Sequence, residues 1–164
     1  MKTSVVRSLA ISMLAMVIAG CGFQLRGEQT LPEAMAVTYV DGPNRESLLF
    51  TTLVQALERA DVQVANSPAE ATAVLRLLQD ISGQRVLSVG TQGNPEEFEL
   101  FRTIQYELVA GEETLVRSQP VTVTRDYAWV ETDVIGTQRQ ARRLDDGLAN
   151  ELTSLVIRTL SAAR

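Results

Sequence analysis

The clearest pattern in the chain is a two-residue alternation. Phe98, Leu100, Ile104, Tyr106 and Leu108 fall on one parity, with Glu99, Thr103, Gln105 and Glu107 on the other. That spacing predicts a half-buried strand. An earlier run repeats it: Ala73, Leu75, Leu77 and Ile81 share one face, against Arg76 and Asp80 on the other. Gly83 marks a bulge or bend in that run, and Arg85 to Val89 continues extended into a loop with Gly90, Gly93, Asn94 and Pro95. Beyond the clearest strand, Gly111-Glu112-Glu113 makes a tight return into Thr114 to Tyr127. Pro120 lacks a ladder donor, so this last strand is expected at a sheet edge. Near the start, Ala34 to Val40 is rich in Val, Thr and Tyr and reads as a first strand, closed by the turn Asp41-Gly42-Pro43-Asn44. Val62 to Ala65 is a short extended piece before a polar turn at Asn66-Ser67-Pro68.

Two segments switch to helical spacing. From about Arg45 to Ala60, Leu49, Phe50, Leu53, Val54 and Leu57 form a stripe that should face a sheet, with Asn44 or Ser47 as the cap. From about Thr137 to Ser161, Leu144, Leu148, Leu152, Leu155 and Leu160 do the same. Gly147 costs that helix about 1 kcal/mol relative to Ala, which packing must offset. The order strand, helix, three antiparallel strands, helix predicts an α+β fold. Its natural form is a two-layer sandwich, two helices packed on one face of a four-stranded mixed sheet. A right-handed crossover through the first helix would let the first two main strands run parallel. Residues 34–164 read as a single domain, behind a tether at 21–33 containing Gly22, Gly27 and Pro32.

The apolar run Leu9 to Ile18 belongs to neither helix nor core. Lys2 and Arg7 precede it, and Ala19-Gly20-Cys21 follows. This is the layout of an export signal, too short for a permanent bilayer span. Its ending reads as a lipoprotein cleavage and acylation site, with residues 1–20 removed and acyl groups placed on the sulfur and new amino end of Cys21. Several acyl chains, at roughly 0.8 kcal/mol per buried methylene, make such an anchor essentially permanent. Gly22 in the following position is compatible with passage to the outer membrane, where an Asp commonly retains a lipoprotein in the inner one.

Removing residues 1–20 leaves 144 residues. Positive residues drop from 15 to 13 against 20 acidic ones, so the net charge moves from −5 to about −7. That argues against a nucleic-acid partner and against non-specific coating of anionic lipid. Cys21 is the only cysteine and there is no histidine. No disulfide, thiol nucleophile, thiolate metal site or Ser-His-Asp arrangement is available. Glu96-Glu97, Glu112-Glu113 and Asp145-Asp146 are adjacent pairs, which a strand points to opposite faces and a turn leaves solvated. No catalytic residue, metal site or cofactor is expected. Gly90-Thr91-Gln92-Gly93 lacks the ending of a phosphate loop and reads as a hairpin connection. Arg139, Arg142 and Arg143 form the one notable basic cluster. They are candidate contacts for lipid phosphates, or simply a solvated helix face with Arg142 four residues from Asp146. Tyr127 and Trp129 fall where the last strand hands over to the last helix.

Cys21-Gly22-Phe23-Gln24-Leu25-Arg26-Gly27 resembles the mature start of the LptE family, the lipopolysaccharide-assembly lipoproteins of Gram-negative outer membranes. Leu31-Pro32 before the first strand, and the order of elements to about Leu160, are similar to that family too. The resemblance implies a non-enzymatic partner of LptD, the large outer-membrane β-barrel that delivers lipopolysaccharide to the surface. It implies a lipid-anchored domain on the periplasmic side or inside the barrel lumen, where it plugs the barrel, assists its assembly and contacts lipopolysaccharide. Members of that family often carry a basic residue, associated with lipid contact, in the hairpin loop matching Ser88 to Pro95, where this chain has Thr91 and Gln92 and no positive charge. A lysine of some relatives falls at about Thr137, close to Arg139. The rival reading is a periplasmic lipid-binding carrier, which predicts an apolar cavity.

Overall fold

In the computed structural model, which describes residues 30–163, the chain starts with Leu31 packed against the core and a single 3-10 turn, Glu33–Met35. Residues 1–29, with the export signal, Cys21 and most of the expected tether, lie outside the described residues. Strand β1, Val37–Asp41, follows. Helix α1, Leu48–Arg59, is capped by Ser47, whose Oγ accepts the Phe50 N–H at 3.1 Å. Asn44 instead accepts the Glu46 N–H, closing the preceding turn. Then come β2, Gln63–Val64, and three long strands: β3, Ala73–Val89; β4, Pro95–Ala110; and β5, Glu113–Ala128. Helix α2, Val134–Ala162, closes the fold from an Asp133 cap that accepts the Gly136 N–H.

The sheet has five strands in the order β2-β1-β3-β4-β5, not the expected four. The extended piece after α1 returns to pair with β1 in parallel, Val37 opposite Gln63 and Thr38 opposite Val64, and so adds a two-residue edge. β1 and β3 are parallel, and β3–β4 and β4–β5 are antiparallel hairpins. β5 occupies the far edge, where Pro120 is tolerated. Both helices cover one face. Leu49, Leu53 and Leu57 of α1 and Leu148, Leu152, Val156 and Leu160 of α2 are fully buried over Val40, Leu75, Ile104, Tyr106 and Leu108. Each such leucine contributes about 1.5–3 kcal/mol by leaving water. The Thr52 and Thr153 hydroxyls join the two helices at 3.0 Å.

A β-bulge corrects the expected facing of β3. The register steps from Leu77 opposite Tyr106 to Gln79 opposite Gln105, so Leu78 is an extra residue on β3. From there to Val86, where the register shifts again, each side chain changes face, because strand parity is two. Ile81, expected in the core beside Leu77, is 46% exposed. Asp80 takes the helix-covered side opposite Ile104. Gly83, in contrast, lies in unbroken register opposite Phe101 and is not the bulge. Its missing side chain makes room for a ring, since a Cβ there would come within 2.8 Å of the Phe101 ring tip. We expect Gly83→Val to lose about 1–2 kcal/mol through this overpacking. Adding Phe101→Leu should restore most of that in urea unfolding; an unchanged single-variant midpoint would show that the ring swings aside freely.

Candidate functional site

The two ends of the sheet differ in character. The chain enters beside the start of β1, level with Ala73 at the start of β3. β3 then runs 17 residues to its far tip, roughly 55 Å at strand rise. At that tip the β3–β4 turn meets the junction of β5 with α2. Six of the nine exposed large apolar side chains among the described residues gather there: Val86, Leu87, Val89, Val130, Val134 and Ile135.

A cleft of about 440 Å³ opens between the two connections, lined by the 90–96 turn and by Trp129 and Val130. The turn is tied by Gly90 N–H to the Asn94 carbonyl and by Gly93 N–H to the Gly90 carbonyl, at 2.8 and 2.9 Å. Trp129 donates its backbone N–H to the Glu96 carbonyl at 2.8 Å. Its ring meets Phe98 edge-on at 5.7 Å, and Phe98 stacks on Tyr127 at the same separation. The Tyr127 hydroxyl donates to Gln84 at 2.9 Å. Burial pushes that phenol's pKa up.

Arg139, Arg142 and Arg143 are brought together on the exposed side of the first half of α2. Their spacing of three and four places them on one face, with Ile135 one turn nearer the tip. None pairs with another described side chain, so the alternative Arg142–Asp146 bridge does not form. The only buried residue of that half-helix is Thr137.

Beside the partly buried Ala141 and Leu144, the half-helix meets the sheet through an arginine the hydrophobic pattern passes over. Arg102 stands among the apolar positions of β4, between Leu100 and Ile104, and is 6% exposed. Its Nε and Nη2 each meet one Asp80 oxygen at 2.9 Å. Its Nη1 lies 3.7 Å from Asp145 on α2. Burial opposes the guanidinium charge, but the hydrogen bonds and charge of Asp80, with Asp145 and Asp146, outweigh it and raise the pKa. The signal was in the sequence: a charged residue at a core parity of the clearest strand.

The uncovered sheet face carries internally bonded polar pairs beside the exposed Ile81, which lies opposite Thr103. Thr103 meets Thr122 at 2.7 Å, Gln105 donates to Ser118 at 2.8 Å, and Arg76 pairs with Glu107 at 3.0 Å. Among the described residues no three His, Cys, Asp or Glu side chains could hold a metal, and no helix is long and apolar enough to cross a membrane.

Comparison with known proteins agrees with this arrangement. The chain is 25% identical over 122 residues to the LPS-assembly lipoprotein LptE of Pectobacterium atrosepticum, a match covering 73% of this chain and 65% of that protein. The fold is similar to the solution structure of lipoprotein B from Nitrosomonas europaea, with a TM-score of 0.72 and 22% identity over 86% of this chain and 91% of that one. It is similar also to a minor lipoprotein of Acinetobacter baumannii, with a TM-score of 0.66 and 22% identity over 80% and 94%. The profile of the LptE family, described as lipopolysaccharide-assembly, matches residues 33–160. The chain therefore belongs to the LptE family of lipopolysaccharide-assembly lipoproteins.

Proposed function

We propose that this protein is a non-enzymatic outer-membrane lipoprotein, anchored by acylated Cys21, that plugs the LptD β-barrel and assists its assembly. The observation that carries the reading is the uncovered sheet face. A barrel lumen is lined by polar side chains, and a plug needs a rigid exterior able to hydrogen-bond with them. The Thr103–Thr122, Gln105–Ser118 and Arg76–Glu107 pairs make such a surface. The described residues begin at the β1 end of the domain, opposite the tip. Nine residues from Cys21 to Thr30 reach at most roughly 30 Å. The β1 end would thus stay near the periplasmic leaflet while the tip points up the lumen. A periplasmic carrier would need an apolar cavity between helices and sheet, where the two leucine stripes already pack.

Recovery of the Cys21-anchored protein from solubilised outer membranes tests this. A large barrel partner should co-purify, and its absence would sink the proposal. Arg139, Arg142 and Arg143 are the proposed phosphate contacts for lipopolysaccharide. Changing all three to Ala should leave barrel co-purification intact and abolish lipopolysaccharide retention in a pull-down. Undiminished retention would remove the arginines from the lipid role without touching the plug.

A further inference from the structure

We propose that residues 134–146 form a strap that leaves the sheet as one unit, opening at Gly147 while the rest of α2 stays docked. The two halves of the helix are held very differently. Seven buried side chains follow Gly147. That half also carries the Thr52–Thr153 bond to α1 and the Arg125–Glu151 pair to β5. Before Gly147 only Thr137 is buried. An open gap of about 260 Å³, lined by Asp145, Leu100 and Ser82 to Gln84, leaves that part of the sheet loosely covered. Sparse burial and open space mark a segment whose local opening costs less than global unfolding.

The junction itself reads as a second helix start. Gly147 is exposed, and a Cβ there would meet nothing within 4 Å. No close contact calls for glycine, yet glycine weakens a helix interior because it has the most backbone freedom to lose. Asp146 precedes it, and Asp is among the best residues for capping a helix. When the strap leaves, the N–H groups of Gly147, Leu148 and Ala149 lose the carbonyls four residues back. Asp146 then stands as the N-cap, its carboxylate able to accept from Leu148 or Ala149. Helix α2 thus carries two caps, Asp133 in use and Asp146 in reserve. At the tip, the Trp129–Glu96 backbone bond pins the chain to β4. The segment is therefore fixed at both ends, with the Arg102–Asp145 contact as its catch. Its release scatters Arg139, Arg142 and Arg143, which share one face only while those residues are helical. The proposal stands apart from the barrel reading, whose test is co-purification.

Amide hydrogen exchange of the full chain in detergent tests the strap. Amides of residues 138–147 should exchange at one common rate, at least about a hundredfold faster than those of 150–160. Gly147→Ala should slow the first set about fivefold and leave the second unchanged. Asp146→Ser and Asp146→Gln both remove the charge, but only serine caps a helix. Over 138–147 the glutamine variant should exchange about fivefold more slowly than the serine variant, because its open form has lost the reserve cap. A rate rising smoothly toward Asp133 would mean simple fraying, and equal protection of the two sets would mean one rigid helix. Either result would overturn the proposal. So would equal slowing of both sets by Gly147→Ala, or matching rates in the serine and glutamine variants.

Discussion

Arg102→Ala is expected to cost the domain about 3–5 kcal/mol, the range for removing one partner of a buried ion pair. For a domain of this length, that lowers the thermal midpoint by about 10–20 °C. The loss comes from what remains behind. Asp80, whose side chain is 9% exposed, would keep its charge without the two donors that now face its two oxygens. Removing both charges is a different case. Arg102→Met with Asp80→Leu ends the desolvation cost of both groups, and this pair should unfold within about 1 kcal/mol of the parent or above it. Asp145 is 40% exposed at 3.7 Å, so Asp145→Asn should cost under about 1 kcal/mol. Its effect should appear instead as faster amide exchange over residues 134–146, since Arg102–Asp145 ties that weakly buried half of α2 to the sheet. A midpoint for Arg102→Ala within a few degrees of the parent would show that water replaces the guanidinium at little cost.

That pair also shows where the sequence is legible and where it is not. Helix stripes and strand parity are local properties, so Leu49, Leu53 and Leu57, or Ile104, Tyr106 and Leu108, declare their burial without knowledge of the rest. Pro120 declares its edge for the same reason. The bulge at Leu78 has no such mark. The extra residue is an ordinary leucine, and only pairing with β4 reveals that parity changes there. Ile81 and Asp80 were therefore expected on the wrong faces. β2 is too short for a periodicity, and its partner is β1, across the whole of α1. The site divides likewise. Helical spacing alone puts Arg139, Arg142 and Arg143 on one face. The cleft needs residues 90–96 beside Trp129, more than 30 positions apart, which no local pattern encodes.

Cys21→Ala is expected to empty the outer-membrane fraction of this protein while leaving its fold untouched. Without a thiol no thioether-linked lipid can form, and the chain should keep residues 1–20 as an uncleaved precursor carrying no palmitate label. Exported behind an ordinary cleavable signal, the same variant should appear as a free periplasmic domain. Its unfolding midpoint should match the parent's, because the described fold begins only at Thr30. The consequence for the proposed barrel partner follows from concentration rather than contact. One acyl chain binds membranes marginally, and several bind essentially permanently. The proposed anchor would confine the domain beside the membrane where the proposed barrel closes, and effective concentrations for short tethers reach the millimolar range. Barrel co-purification should therefore fall at native expression and recover when the unanchored domain is overproduced. Recovery would mean that the tether acts only by raising encounter frequency, since every surface of the plug is still present. Failure to recover at any expression level would give the acylated end a direct place in the complex, and palmitate-free protein persisting in the outer membrane would overturn the anchor itself.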